Sequence, residues 1–229
     1  MRIIAITSGK GGAGKTFISV NLAAALAYLG KRVTLIDTNF TTPNSSLLLG
    51  IYAYKNTIHD LLSGNFNTNI VYSTPYGFDL VPGSLSLYSM INARIENFDK
   101  VFEKIKSEYV LLDTAAGIGR ECSYVLLSSQ EVFIVVNPEI TSIIDALRLK
   151  KAVEAMKKRV TGIIANKVRS AKDVERLKSF FGEEIVAILP EDKRVINSIE
   201  QKIPFIYAYP KSVISTQILN LASKLSNNF

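Results

Sequence analysis

The stretch Gly9-Lys10-Gly11-Gly12-Ala13-Gly14-Lys15-Thr16 decides how this chain is read. It follows a short apolar run, Arg2–Thr7, and opens a segment, residues 16–29, that is apolar on nearly every face. A strand, a glycine loop and a buried helix in that order let consecutive backbone N–H groups turn inward around phosphate oxygens beside a helix N-terminus. Two templates fit the loop. Gly9, Gly11 and Gly14 match G-x-G-x-x-G, the dinucleotide fingerprint, with Asp37 about where a ribose-binding acid would stand. The same residues match G-x-x-x-x-G-K-[ST], the nucleoside-triphosphate loop. Lys15 and Thr16 choose the second. A lysine brings a point charge to the β- and γ-phosphates and a threonine hydroxyl brings a ligand for Mg²⁺; a dinucleotide site needs neither. Asp113 adds to this, because it closes the apolar run Tyr109-Val110-Leu111-Leu112 where a Walker B aspartate would hold Mg²⁺ directly or through water.

Working outward, short apolar runs alternate with helical patterns. Arg32–Ile36, Phe78–Val81, Tyr109–Leu112, Val132–Val136, Val160–Ala165 and Ile185–Leu189 read as strands. Thr57–Leu62, Phe98–Ser107, 141–157, 171–181, 192–201 and 213–225 read as helices, and Gly30 sits where a helix C-terminal glycine belongs. Residues 38–46 are polar and turn-rich. The alternation predicts an α/β fold with a mostly parallel sheet covered by helices on both faces. No linker, repeat or low-complexity stretch interrupts it, so one P-loop domain over residues 1–229 is expected.

Composition is that of an ordinary globular chain: 229 residues, 48% hydrophobic and 21% charged. The single cysteine, Cys122, excludes an intramolecular disulfide and a Cys-rich zinc site, and it suits a reducing, cytoplasmic location. No run approaches the length of a membrane span, and Ile3–Thr7 is too short for a signal-peptide core. The net charge of +7 is local. Residues 148–178 hold eleven basic and three acidic side chains, so this segment alone is +8. Such a face is either a solvated helix surface or a contact for a polyanion such as DNA.

Lys10-Gly11-Gly12-Ala13-Gly14-Lys15-Thr16 resembles the deviant Walker A loop of the MinD/ParA family of ATPases, K-G-G-x-G-K-[ST], whose signature is the extra lysine, here Lys10. The resemblance runs through Leu35-Ile36-Asp37 with Pro43-Asn44, Leu61-Leu62-Ser63-Gly64, Val81-Pro82-Gly83, Asp113-Thr114-Ala115-Ala116-Gly117, Asn137-Pro138-Glu139, Asn166-Lys167-Val168 and Leu189-Pro190-Glu191-Asp192. It covers essentially the whole chain and is strongest toward archaeal-type MinD.

The resemblance implies a set of roles. Gly11, Gly12, Ala13, Gly14, Lys15 and Thr16 would hold the phosphates of ATP or ADP, with Thr16 and Asp113 as Mg²⁺ ligands. Lys10 would reach across to the nucleotide of a second subunit, making the site complete only in an ATP-dependent homodimer. Asn166 and the Pro190 segment would contact adenine. Asp37 and position 39 would belong to the switch near the attacking water. The implied function is a nucleotide-controlled switch in spatial positioning or regulation, with a protein activator or cargo as partner.

This chain departs from the family pattern twice. The family usually has D-x-D after the second strand; here it is Asp37-Thr38-Asn39, and an amide is no general base, so slow hydrolysis is expected. Phe17 replaces a second threonine, leaving a backbone N–H for the α-phosphate or a ring that packs against the sheet. Ile214, Ile218, Leu221, Ala222 and Leu225 form one apolar stripe near only Lys211 and Lys224, which reads as a core-docking helix with a short polar tail. Stable membrane attachment is therefore not expected. Four residues receive ordinary readings. His59 is expected at the surface, Ser142 and Asp145 are spaced as a capping box, and Cys122 is expected in the core. Two other functions stay open: a DNA-binding partition protein using residues 148–178, and an ATP-binding regulator that barely hydrolyses. An iron–sulfur carrier is disfavoured, because a dimer would supply only two thiolates.

Overall fold

A computed structural model describes residues 1–227. β1 (Arg2–Thr7) leads through the glycine loop into α1 (Lys15–Tyr28) and β2 (Val33–Thr38). Short helices α2 (Ser45–Leu49) and α3 (Ile58–Leu62), strands β3 (Tyr72–Ser73) and β4 (Asp79–Val81), and α4 (Leu87–Asn92) come next. The second half runs β5 (Tyr109–Thr114), α5 (Arg120–Ser128), β6 (Glu131–Val136), α6 (Ile140–Ala155), β7 (Arg159–Val168), α7 (Ala171–Phe181) and β8 (Ile185–Pro190). It closes with α8 (Arg194–Glu200), α9 (Phe205–Ala208) and α10 (Val213–Ser226).

The strands form one eight-stranded sheet in the order β3-β4-β2-β5-β1-β6-β7-β8. Every pairing is parallel except β3 with β4. Two apolar layers explain why β2, β5 and β6 are buried at every position. One layer packs α5, α6 and α7 on the sheet; the other packs α1, α9 and α10. Strands covered on both faces read as continuous hydrophobic runs, which is how they stand in the sequence.

α1 is buried from Phe17 to Leu26, wedged between the sheet and α10. It ends as a Schellman turn: Lys31 N–H donates to Leu26 O (3.0 Å) and Gly30 N–H to Ala27 O (2.9 Å), with Gly30 at φ 78°. The stripe of α10 is buried against α1 and β8, as a docking helix requires. Of the polar tail beyond it, residues 228–229 lie outside the described residues. Among the described residues, no helix is long and apolar enough to cross a membrane.

Several expectations need correction. The segment read as a helix over Phe98–Ser107 is a 3-10 helix over Ile95–Lys104. Its buried residues Ile95, Phe98 and Val101 recur every three positions, the period of a 3-10 turn. Ser142 and Asp145 form no capping box: Ser142 Oγ accepts from Asn137 N–H (3.0 Å), and Asp145 is already inside α6, 3.5 Å from Arg148. His59 is not at the surface but fully buried. It follows Thr57 in a short helix that does carry a capping box, Thr57 with Asp60. Cys122 is in the core, as expected.

Candidate functional site

Three strands, β1, β2 and β5, lie side by side at the centre of the sheet, and their C-terminal ends open onto one place. The loop leaving β1 carries Gly12 and Gly14 at φ 77° and 97°, backbone that side-chain-bearing residues seldom adopt. Gly14 caps the N-terminus of α1. A Cβ at Gly14 would stand 2.3 Å from Asn166 Nδ2, and one at Gly9 would stand 2.4 Å from the Asp145 backbone. The loop is thus pressed between α6 and the end of β7, with its amides free to line a concavity.

Lys15 begins α1, and its ammonium donates to Ser8 Oγ at 3.1 Å. Burial lowers its pKa, while the charge of Asp113 raises it again. Asp113, at the end of β5, accepts from Ser19 Oγ (3.1 Å) and Ser45 Oγ (3.3 Å). Burial pushes its carboxyl up; the Thr16 hydroxyl and the Lys15 charge pull it back. Lys15, Thr16 and Asp113 therefore meet at one point, a cation beside a hydroxyl and a carboxylate.

Asp37 is fully buried at the end of β2, directly opposite Asp113 in the parallel ladder. Its carboxylate accepts backbone N–H groups from Asn39 (3.2 Å), Asn44 (2.8 Å) and Ser45 (2.8 Å), so it fastens the loop that enters α2. Burial, and then the neighbouring Asp113, push its pKa up to about 7. Asn39 is committed within the same loop. Its Nδ2 donates to Thr42 O (2.7 Å) and Thr42 Oγ1 (3.0 Å), while Thr42 N–H donates back at 3.4 Å.

Two clefts flank the loop. One, of about 440 Å³, is lined by Gly11, Gly12, Lys15, Thr16, Asn39 and Ala116 among others. The other, of about 650 Å³, is lined by Asn166, Pro190, Glu191 and Ile196 among others. Gly14, Phe17 and Ile199 line both, so the two are one trench of nucleotide size. Asn166 and Pro190 stand in its apolar half. Phe17 is buried in the apolar layer on that face of the sheet, with its ring edge-on to Phe205 of α9, 5.7 Å between centroids. Lys10 alone points away, exposed, its ammonium 3.4 Å from Thr141 Oγ1 of α6.

Sequence reasoning missed two residues, one lining this trench and one outside it. Lys167 Nζ donates to Gly12 O at 2.9 Å; only its place beside Asn166 hinted at this. His59 is the other. Its Nδ1 accepts from Ser84 N–H (3.0 Å), which leaves Nε2–H to donate to Phe40 O (2.9 Å). Burial lowers its pKa, so the neutral ring bridges two loops. The Thr57/Asp60 capping box and the buried Ile58, Leu61 and Leu62 were the available signal.

A glycine loop between a parallel strand and a buried helix, with a lysine, a threonine and a strand-end aspartate converging on it, defines a P-loop nucleoside-triphosphatase fold. Residues 4–205 match the model of the CobQ/CobB/MinD/ParA nucleotide-binding domain, and the chain belongs to that family. It is 33% identical over 228 residues to an ATP-binding protein of Methanocaldococcus jannaschii, covering 97% of this chain and 86% of the relative. The septum site-determining protein MinD of Pyrococcus horikoshii, solved with Mg-ADP, superposes with a TM-score of 0.90 at 30% identity, over 98% of this chain and 95% of that one. MinD of Aquifex aeolicus in its complex with MinC matches at TM-score 0.85 and 28% identity, over 100% and 97%. Nucleotide and Mg²⁺ binding thus belong to the family, and the residues at this trench have the donor chemistry both require.

Proposed function

We propose that this chain, as a single ATPase domain over residues 1–229, is an ATP·Mg²⁺-dependent dimerising switch that hydrolyses ATP slowly and acts on a protein partner. The observation that carries it is the division of labour between two lysines of one loop. Lys15 turns inward to Ser8 and toward Asp113, whereas Lys10 is exposed and meets nothing of its own trench. A cation held outside its own site serves a second subunit, where it would stabilise charge developing on the transferred phosphoryl group. In each subunit, amides of residues 11–16 would hold phosphate, Thr16 and Asp113 would hold Mg²⁺, and Asn166 and Pro190 would border adenine.

Slow turnover follows from Asn39. Its amide is engaged with Thr42 and is no proton acceptor, so attack on the γ-phosphate relies on positioning and charge alone. The Mg-ADP bound to the Pyrococcus relative and the MinC:MinD complex of Aquifex support nucleotide and protein partners as classes. Membrane attachment is not proposed, since α10 spends its apolar stripe on the core.

A second reading, weak sequence-independent DNA binding, is favoured by Lys151, Lys157, Arg159, Lys172 and Lys178. All five are exposed and, among the described residues, lie outside ion pairs, whereas Lys150, Arg169 and Arg176 are paired with Glu184, Glu191 and Asp173. Titration with ATP·Mg²⁺, followed by turnover with and without DNA at rising salt, tests both. Saturable binding with slow turnover is expected, and any DNA retention should fall steeply with salt. Absence of nucleotide binding would overturn the first reading, and salt-independent DNA retention the second.

A further inference from the structure

We infer that Lys167 is a positioning residue that aims the phosphate loop, and that a strained bulge in β7 exists to deliver it. The inference rests on reading residues 9–16 as the phosphate site. β7 and β8 are in parallel register at Ala165↔Ile188 and again at Val168↔Pro190. Three steps along β7 thus match two along β8: one residue is extra at Asn166-Lys167. Lys167 sits there at φ 58°, in left-handed backbone that residues other than glycine seldom adopt; the two other lysines with such a φ, Lys157 and Lys202, stand at helix ends, whereas Lys167 lies within a strand.

The strain has a geometric result. In a regular strand, neighbouring side chains point to opposite faces, and a bulge re-aims one of them. Here Asn166 and Lys167 both reach the loop, and they reach consecutive carbonyls. Asn166 Nδ2 donates to Ala13 O (2.8 Å) and Lys167 Nζ to Gly12 O (2.9 Å). A trans peptide sets its C=O and N–H on opposite sides, and no peptide here is cis. Holding the Gly12 carbonyl outward therefore turns the Ala13 N–H inward, and holding the Ala13 carbonyl outward does the same for Gly14 N–H. Gly12 and Gly14, at positive φ, flank freely rotating peptides; without the tether a flipped carbonyl would face phosphate and repel it. A charged donor makes the stronger tether of the two.

The test is calorimetric titration of ADP·Mg²⁺ into the full chain, with thermal melts of the nucleotide-free protein. Lys167→Met removes the ammonium; Lys167→Gly removes it and also relieves the backbone. Both should bind ADP about tenfold more weakly, the loss expected for one hydrogen bond to a charged group. Lys167→Gly should melt no lower than wild type, so that stability and binding part company. Lys167→Arg should recover most of the affinity. The deficit should persist near 1 M KCl, where the Debye length is about 3 Å and a mere long-range charge effect would vanish. ADP affinity within twofold of wild type in both variants, or a deficit erased by salt, overturns the tether while leaving the phosphate-site reading intact. Failure of wild type itself to bind ADP overturns both.

Discussion

Asp37 and Asp113 face each other across the β2–β5 ladder, both carboxylates buried. Burial makes charging either one costly, and the first charge opposes the second. The pair therefore tends to hold a proton, and a divalent cation beside Asp113 would favour the charged form instead.

A stability prediction follows for the nucleotide-free protein. The pKa of Asp37 is raised to about 7 from an unfolded value near 4. A raised carboxyl holds its proton longer in the folded state, so its stabilisation is full below the unfolded value and is lost as pH rises through about 7. Asp37→Asn should therefore gain on wild type as pH climbs from 4 to 8 in urea unfolding. A constant difference between the two proteins across that range would contradict the shift.

His59 carries the opposite slope. Its pKa is lowered below 6.5 by burial, so the unfolded chain takes up a proton that the folded ring refuses. Stability is lost as pH falls below about 6.5. His59→Phe should abolish that slope and cost about 2–4 kcal/mol at neutral pH, because Phe40 O and Ser84 N–H lose their partner in the interior. Wild type losing no stability relative to His59→Phe between pH 7.5 and 5 would sink the idea.

Removing the Lys15 ammonium should separate binding from folding. Lys15→Ala is expected to lose at least about a hundredfold in ADP·Mg²⁺ affinity, the effect of deleting a charge-assisted phosphate contact. Its melting temperature should change little, since the side chain lies at the loop and not in either apolar layer. A variant that still binds within threefold of wild type would refute the phosphate role.

Asn39→Asp is expected to raise single-turnover hydrolysis, at most about tenfold, because a carboxylate accepts a stronger hydrogen bond from water than an amide does. The structure adds a cost. Asn39 donates to Thr42 O and Oγ1, and a carboxylate cannot, so the loop should loosen by about 1 kcal/mol. If turnover does not rise, position 39 does not face the nucleophile.

The phosphate loop, Asp113 and the helix α10 that covers α1 were legible in sequence because each is a local signal: glycines at fixed offsets, an acid ending an apolar run, a stripe at helical spacing. The capping box hinted that His59 is buried, but its bonding was not legible. Its partners, Phe40 and Ser84, lie 19 and 25 positions away, and nothing local marks them. The Lys167 tether spans 155 positions and depends on a bulge, which no periodicity reveals. Residues 45–49 and 87–92 were missed as helices because each is barely one or two turns, too short for a repeat to show. The 3-10 stretch misled for a related reason: a spacing of three fits loosely within 3.6 over so few turns.

The central claim is that Lys10 completes the site of a second copy. Light scattering on the eluting protein tests it most directly, with wild type and Lys10→Ala each run without nucleotide and with ATP·Mg²⁺. Wild type should move from the 25.3 kDa monomer to twice that mass on ATP·Mg²⁺, while Lys10→Ala binds ATP and stays monomeric. A wild type that remains monomeric with ATP bound, or a Lys10→Ala protein that dimerises and turns over normally, would contradict it.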